Sequence, residues 1–410
     1  MFDVKKIRND FPMFRNKVIM QNKPLVFLDN ASTTFKPDSV LNAVTKYYEF
    51  ETSNSHRGDY DLCYNMDRAI ESTREEVANL LNCESKEVVF TFGTTHSINQ
   101  VAFGFAKNIL KKDDEIILSL AEHASNLLPW FKVAKLTGAK IKYVPLTKEG
   151  IITIDNFGKV ISSKTKIVAL AQITNVLGYL VDIKEIAKVA HAHGAFVVCD
   201  GAQSVPHMKV DVKDLDVDFL SFSGHKMCGP TGVGVLYGKY ELLDQSEPLI
   251  LGGGMNVNFE SSGNMNLLPP PARFEAGTLN LEGILGLKEA VKYVLDIGLD
   301  NINKYEKELR KYMVERMKKV PNIIIYNESA DSGIVTFNIK GRFAQDEATY
   351  LNFKGIAVRS GQHCAKILPE FLNELATIRT SIYFYTSKED VDYFVDTLLE
   401  GGDILDAYFA

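Results

Sequence analysis

Between residues 85 and 238 the chain switches repeatedly between two hydrophobic periods, and no other feature limits its fold so strongly. Short apolar runs read as strands: "EVVFT" (87–91), "EIILS" (115–119), "KIKYVP" (140–145), "KIVALAQI" (166–173), "AFVVCD" (195–200) and "VDFLSFS" (217–223). Stretches with a helical repeat lie among them. In "TTHSINQVAFGFAKNIL", Ile98, Val101, Ala102, Phe105 and Ile109 share one helical face, and "DIKEIAKVAHAHG" is a helix closed by glycine. Apolar strands separated by helices run mainly parallel and are covered on both faces. The expected fold is α/β, a mainly parallel seven-stranded sheet with helices on both faces, in which "GVGVLYG" (232–238) supplies a closing edge strand. After about residue 285 the texture changes to long amphipathic helices, two strands ("GIVTFNI", "GIAVRSG") and a final helix, "SKEDVDYFVDTLLEGG". The chain of 410 residues is long enough for more than one domain. Residues 25–285 are expected to form a large domain, and 1–24 with 286–410 a smaller α+β domain.

Ligands of such sheets bind beyond the carboxyl ends of the strands, and those ends are where the reactive side chains gather. Asp200 closes "AFVVCD", with Gln203 three residues on. Ser223, His225 and Lys226 close "VDFLSFS". Thr94 and Thr95 open a helix, whose free N–H groups and hydroxyls suit an anion. His123 follows "EIILS", and Asn175 follows "KIVALAQI". A lysine is ordinarily a solvated surface residue, but one held in a cleft has a lowered pKa and becomes a neutral amine nucleophile. Lysine, carboxylate, imidazole and anion site on one rim match the needs of pyridoxal 5'-phosphate (PLP). Each member also has a plainer reading: Asp200 as a turn residue, "GTT" as a helix N-cap, and "GPTGVGVL" as a glycine-rich turn that is a poor dinucleotide fingerprint.

At these residues the chain resembles the class V aminotransferase family of fold type I PLP enzymes, and within it the SufS-like cysteine desulfurases. "VVCDGAQSVPH" and "DFLSFSGHKMCGPTGVGVLYG" carry the likeness. It extends from "VFLDNASTT" through "SNSHRG" (53–58), "FGTTHSINQVA", "EHASNLLPW", "RFEAGTLN" and "RSGQHCA" to "IRTSIYFYTSKEDVD". The resemblance implies that Lys226 carries the cofactor as a Schiff base. Asp200 would face the pyridine nitrogen, Gln203 the phenolic oxygen, and His123 would stack on the ring. Thr94, Thr95, Ser223 and His225 would bind the phosphate, joined by Thr278 from the other subunit of a homodimer. Asn175 and Arg379 would bind the substrate, L-cysteine, with Arg379 on its carboxylate and Arg359 lining the same cleft. Cys364 would take the sulfur as a persulfide, leaving alanine. Selenocysteine lyase, another family enzyme, or a non-catalytic sulfur carrier or assembly scaffold are the alternatives. The short loop "GQHCAKI" implies that a small acceptor protein must come to Cys364, for iron–sulfur cluster assembly or other sulfur-containing biosynthesis.

The chain departs from the family pattern at Gln362, at Phe92 and His96 around Gly-Thr-Thr, at Ser55, and in "DYDLCYNMDRA". Read from its neighbours alone, Cys364 has Arg359 and His363 at hand to favour a thiolate. Cys199 and Cys228 read as core, and Cys63 and Cys83 have no partner. Five cysteines without CxxC pairs fit reduced thiols, with no metal site expected. The net charge of -6 argues against a nucleic-acid partner. No apolar run spans a bilayer, and the N-terminus lacks a signal-like stretch, so no membrane partner and a cytoplasmic location are expected.

Overall fold

The computed structural model describes residues 2–55 and 58–402. His56 and Arg57 of "SNSHRG" lie outside the described residues. The seven strands are β1 (Val88–Thr91), β2 (Glu115–Ser119), β3 (Lys140–Val144), β4 (Thr165–Ala171), β5 (Phe196–Asp200), β6 (Phe219–Ser223) and β7 (Gly234–Gly238), in the spatial order β1-β7-β6-β5-β4-β2-β3. All the pairings that exclude β7 are parallel. Alternate side chains enter opposite cores: Ile117, Val168 and Leu170 pack on one face, Ile116, Leu118, Ile167 and Ala169 on the other. The first face is covered by α1 (Asp61–Leu81), the helix Ile183–Ala192 and α2 (Leu281–Ile297). The second is covered by the helical run 94–109 and by Leu128–Thr137.

The glycine-rich strand is not an edge. β7 runs antiparallel between β1 and β6, pairing Gly234 with Thr91 on one side and with Ser223 on the other. A Cβ at Gly234 would lie 2.4 Å from the Gly93 Cα and 2.7 Å from the Phe222 carbonyl oxygen. Its glycine is a packing requirement that brings the Gly93–Thr94 turn against the end of β6.

A second, antiparallel sheet joins β8 (Ile323–Ile325), β9 (Ile334–Ile339), β10 (Arg359–Gly361) and β11 (Thr377–Ser381) in the order β8-β9-β11-β10. Its core takes Leu309, Met313 and Met317 from Leu299–Met317, and Val391, Phe394 and Leu398 from Lys388–Glu400. The long amphipathic stretch is two helices, broken at Gly298 with φ +87. Position 285 falls inside α2, whose Leu281, Leu287, Val291 and Val294 join the core of the seven-stranded sheet. Val26 and Leu28 pack with the smaller sheet, and Val26–Phe27 pairs parallel with Ile356–Ala357. Phe11 joins the large core beside Phe384 and Tyr385.

Candidate active site

The carboxyl ends of β1, β2, β4, β5 and β6 open into one cavity of about 260 Å³, closed on its far side by the smaller sheet. Every residue expected to bind cofactor or substrate or to react lines it, apart from Thr278: Thr94, Thr95, His123, Asn175, Asp200, Gln203, Ser223, His225, Lys226, Arg359, Cys364 and Arg379. Thr278 is exposed and stands outside the cavity.

At the β1 end, the Thr94 N–H donates to Ser223 Oγ at 2.9 Å, and Thr94 Oγ1 lies 2.9 Å from the same oxygen. Thr95 Oγ1 meets Ser125 Oγ at 2.7 Å. Hydroxyls and helix-start N–H groups thus converge where an anion is favoured. Lys226 ends a turn, Gly224–Lys226, that β6 leads into. The chain 31–34 crosses over that turn: the Thr34 N–H donates to the His225 carbonyl at 3.0 Å. Burial, reinforced by Arg379 and Arg359 and opposed by Asp200, holds Lys226 down to about 8. Burial raises the Asp200 carboxyl, while the Ala202 N–H and Lys226 act the other way. A buried carboxylate needs a cationic partner, and a protonated ring nitrogen would supply one.

Burial and neighbouring cations push His123 and His225 down to about 4, so both are neutral. His123 Nδ1 accepts from the Ser125 N–H at 3.1 Å, which leaves the proton on Nε2. Gln203 is fixed by donation to the Ala31 carbonyl at 2.8 Å. Arg379 on β11 is 3% exposed. Its Nη1 donates to the Asn175 carbonyl at 2.7 Å and its Nη2 to Ser32 Oγ at 2.8 Å. Arg379 Nε and Asn175 Oδ1 are buried without a protein partner. Such groups are costly unless a ligand meets them; the Arg379 Nε donor suits a carboxylate, and the Asn175 Oδ1 acceptor suits a donor such as an ammonium. Threonine hydroxyls for a phosphate, Asp200 for a ring nitrogen and Lys226 for an aldehyde carbon fit PLP in the same way.

Cys364 is exposed at the cleft mouth, whereas Cys63, Cys199 and Cys228 are buried, and burial pushes the Cys228 thiol up to about 12. His363 does not aid a thiolate through charge. Burial and Arg379 push it down to about 3, so it is neutral. Sequence reasoning gave no role to Asp29 or Ser32, although both sit in the quoted "VFLDNASTT". Asp29 lies 3.3 Å from both Arg359 Nε and Arg379 Nη2. Ser125 was also missed. Its signal was a hydroxyl two residues after His123, on the same loop.

A parallel sheet with a depressed lysine and a buried carboxylate on one rim defines an enzyme that works through a carbonyl cofactor. The profile of the aminotransferase class-V family matches residues 26–394, and the chain belongs to that family. It is 44% identical over 391 residues to a Halalkalibacterium halodurans protein named "Probable cysteine desulfurase", covering 95% of each chain. A Staphylococcus epidermidis protein of the same name is 44% identical over 400 residues, 97% of this chain and 96% of that one. The solved cysteine desulfurase CsdA from Escherichia coli superposes with a TM-score of 0.91 at 36% identity, covering 99% of both chains. A cysteine desulfurase from Thermococcus onnurineus gives 0.91 and 36%, over 97% of both chains.

Proposed function

We propose that this chain is a PLP-dependent cysteine desulfurase that converts L-cysteine to L-alanine and keeps the sulfur as a persulfide on Cys364. The observation that carries the reading is a solvent-facing thiol in the same cleft as Lys226, Asp200 and an arginine with an unpaired Nε. A simple aminotransferase has no use for that thiol. PLP, when bound, draws off the electron pair released at the substrate α-carbon.

The protein's own groups do the rest. Arg379 and Asn175 seat the substrate carboxylate and fix which bond faces Lys226. Lys226, a free amine in part at neutral pH, moves the α-proton. His123, neutral with its proton on Nε2, donates to the reacting substrate. The Cys364 thiolate attacks the substrate sulfur. An S–S bond forms, the C–S bond breaks, and the substrate thiol proton ends on the β-carbon of alanine. The sum balances with no outside reductant: cysteine and a thiolate give alanine and a persulfide anion.

Thr278 fits a role in a second subunit. Beside Thr94 the protomer has an open groove lined by Phe92, His96, Thr231 and Leu249, and a homodimer partner contributing Thr278 would close the phosphate site there. Six residues, 362–367, separate β10 from the helix Leu368–Leu372, and the Ala124 N–H holds the Cys364 carbonyl at 2.7 Å. The thiol cannot swing far, so a small sulfur-acceptor protein must reach in, supplying iron–sulfur cluster or other sulfur-containing biosynthesis. No helix of the described residues is long and apolar enough to cross a membrane. Five free cysteines suit a reducing cytoplasm.

The test is incubation of PLP-loaded protein with L-cysteine, assaying alanine and mapping added sulfur by mass spectrometry. One extra sulfur on Cys364 with alanine release is expected, and both are lost in Cys364→Ala while PLP is retained. Sulfur on Cys228 instead, or undiminished alanine from Cys364→Ala, defeats the reading.

A further inference from the structure

Two consecutive non-glycine residues at the nucleophile, His363 with φ +50 and Cys364 with φ +56, hold left-handed backbone conformations. L-residues with side chains rarely adopt that region and persist there only where neighbours fix them. Three contacts do so. The Ala124 N–H donates to the Cys364 carbonyl at 2.7 Å. Asn175 Nδ2 donates to the His363 carbonyl at 2.8 Å. The His363 imidazole Nε2 lies 3.1 Å from the Thr377 carbonyl and 2.9 Å from Thr377 Oγ1. A carbonyl only accepts, so the ring proton is on Nε2. Nδ1 is then a bare acceptor, buried without a partner.

These contacts close a ring that includes the carboxylate seat. Thr377 and Arg379 are two residues apart on β11 and face the same side. Arg379 Nη1 returns to the Asn175 carbonyl. Asn175 therefore touches Arg379 through its main chain and the nucleophile loop through its side chain. The unpaired Arg379 Nε is the donor a bound carboxylate would take up, beside the Asn175 amide that holds the His363 carbonyl.

We propose that His363 is a positioning residue which, through Asn175 and Thr377, couples occupancy of the carboxylate seat at Arg379 to the aim of Cys364. The coupling deepens the desulfurase reading and rests on it for the identity of the reacting sulfur. A carboxylate that fixes the Asn175 amide also fixes the His363 carbonyl it holds. A bound carboxylate thus tightens a left-handed conformation that the three contacts already hold. Without the Nε2–Thr377 contact the ring is open and only the Asn175 bond to the His363 carbonyl joins loop to seat, so the two respond together more weakly.

The experiment measures alkylation of Cys364 by iodoacetamide in the PLP-loaded protein, resolved by peptide mass spectrometry, with and without saturating L-alanine. Wild type should show protection of about fivefold or more, the lower end of ordinary coupling between sites. His363→Leu should alkylate faster without L-alanine and lose most of the protection. His363→Gln, which can place an N–H near the Nε2 position, should restore it. Thr377→Val gives the same reading without touching the loop and should lose part of the protection. Melting temperatures identify any variant that is merely misfolded. Equal protection in wild type, His363→Leu and Thr377→Val would mean simple shielding by alanine and overturn the proposal. So would failure of His363→Gln to restore protection while melting like wild type. Wild type that makes alanine yet shows no ring-dependent protection refutes the coupling alone, whereas wild type that makes no alanine refutes the desulfurase reading.

Discussion

Glu275, in the "RFEAGT" segment that leads to Thr278, is a buried carboxylate whose loss should cost the fold several kcal/mol. It receives Arg74 through two bonds, Nη1 to Oε1 at 2.8 Å and Nη2 to Oε2 at 2.9 Å. Its Oε1 also accepts the Phe90 N–H at 2.8 Å. Arg74 donates to the Val88 carbonyl at 2.7 Å, and its guanidinium stands 4.6 Å over the Phe90 ring. The pair thus ties α1, β1 and the 272–278 segment together with side chains only 2% and 4% exposed. Glu275→Ala leaves the buried guanidinium with only the exposed Glu71, 3.2 Å from its Nε, and the Phe90 N–H without its acceptor, which costs about 3–5 kcal/mol. Over 410 residues the unfolding entropy is about 0.9 kcal/mol/K, so the melting temperature should fall by about 3–6 °C. The partner Arg74→Leu should cost a similar amount. The double replacement Arg74→Leu with Glu275→Leu should cost much less than the sum, because no charge is then stranded. Thermal melting of PLP-saturated protein measures all of these variants. A fall below about 1 °C for Glu275→Ala, or a double variant as damaged as the sum, refutes the reasoning, since a free-energy change of several kcal/mol cannot hide at this entropy.

Two further outcomes concern the cleft. Lys226, held at about 8, should be roughly one tenth free amine at pH 7. The single-turnover rate of persulfide formation should therefore rise about tenfold per unit below pH 8 and level above it. Arg359→Gln removes one cation that depresses Lys226, so this limb should move to higher pH; a flat profile or a downward move counts against Lys226 as the base. Arg379→Lys keeps the charge but loses the planar fork. Losing one charge-assisted bond of about 1.5–3 kcal/mol should raise KM for L-cysteine by about 10- to 150-fold with a smaller change in kcat. A collapse of kcat at unchanged KM would assign the arginine to the transition state instead.

The sheet was legible because its strands need no context. β2, β4, β5 and β6 are apolar on both faces, and period alone separates them from the helices between. The position of β7 was not legible. A strand that follows a glycine-rich turn looks like a terminal edge, and only the close approach of Gly234 to Gly93 shows that it inserts between β1 and β6. The rim residues could be read because strand ends are fixed in sequence. Asp29 and Ser32 could not, since their partner Arg379 lies about 350 residues away and nothing local marks the pairing. The expected help from His363 failed for the same reason. A histidine next to a cysteine suggests a cation, but burial against Thr377 and Arg379 makes it a neutral clamp.

The cleft's charges explain why a lysine ends the turn that follows β6. Lys226, Arg359 and Arg379 face two carboxylates, Asp200 and Asp29, so the protein groups leave an excess of one positive charge. His123 and His225 add none, because both are held neutral. The hydroxyl and N–H groups at Thr94, Thr95 and Ser223 could receive an anion without adding a formal charge. An amino acid and a phosphate-bearing cofactor bring a carboxylate, a phosphate and a ring nitrogen that takes a proton. In the proposed reading the carboxylate would meet Arg379, the ring nitrogen Asp200, and the phosphate the helix start. Lys226 is the cation left without a permanent partner. Two arginines and desolvation press it toward the neutral amine, while Asp200 opposes them from the adjacent strand. Placed on a solvated face the same side chain would stay protonated, and placed deeper it could not reach a substrate. The turn after a buried strand, one residue past His225, meets both conditions.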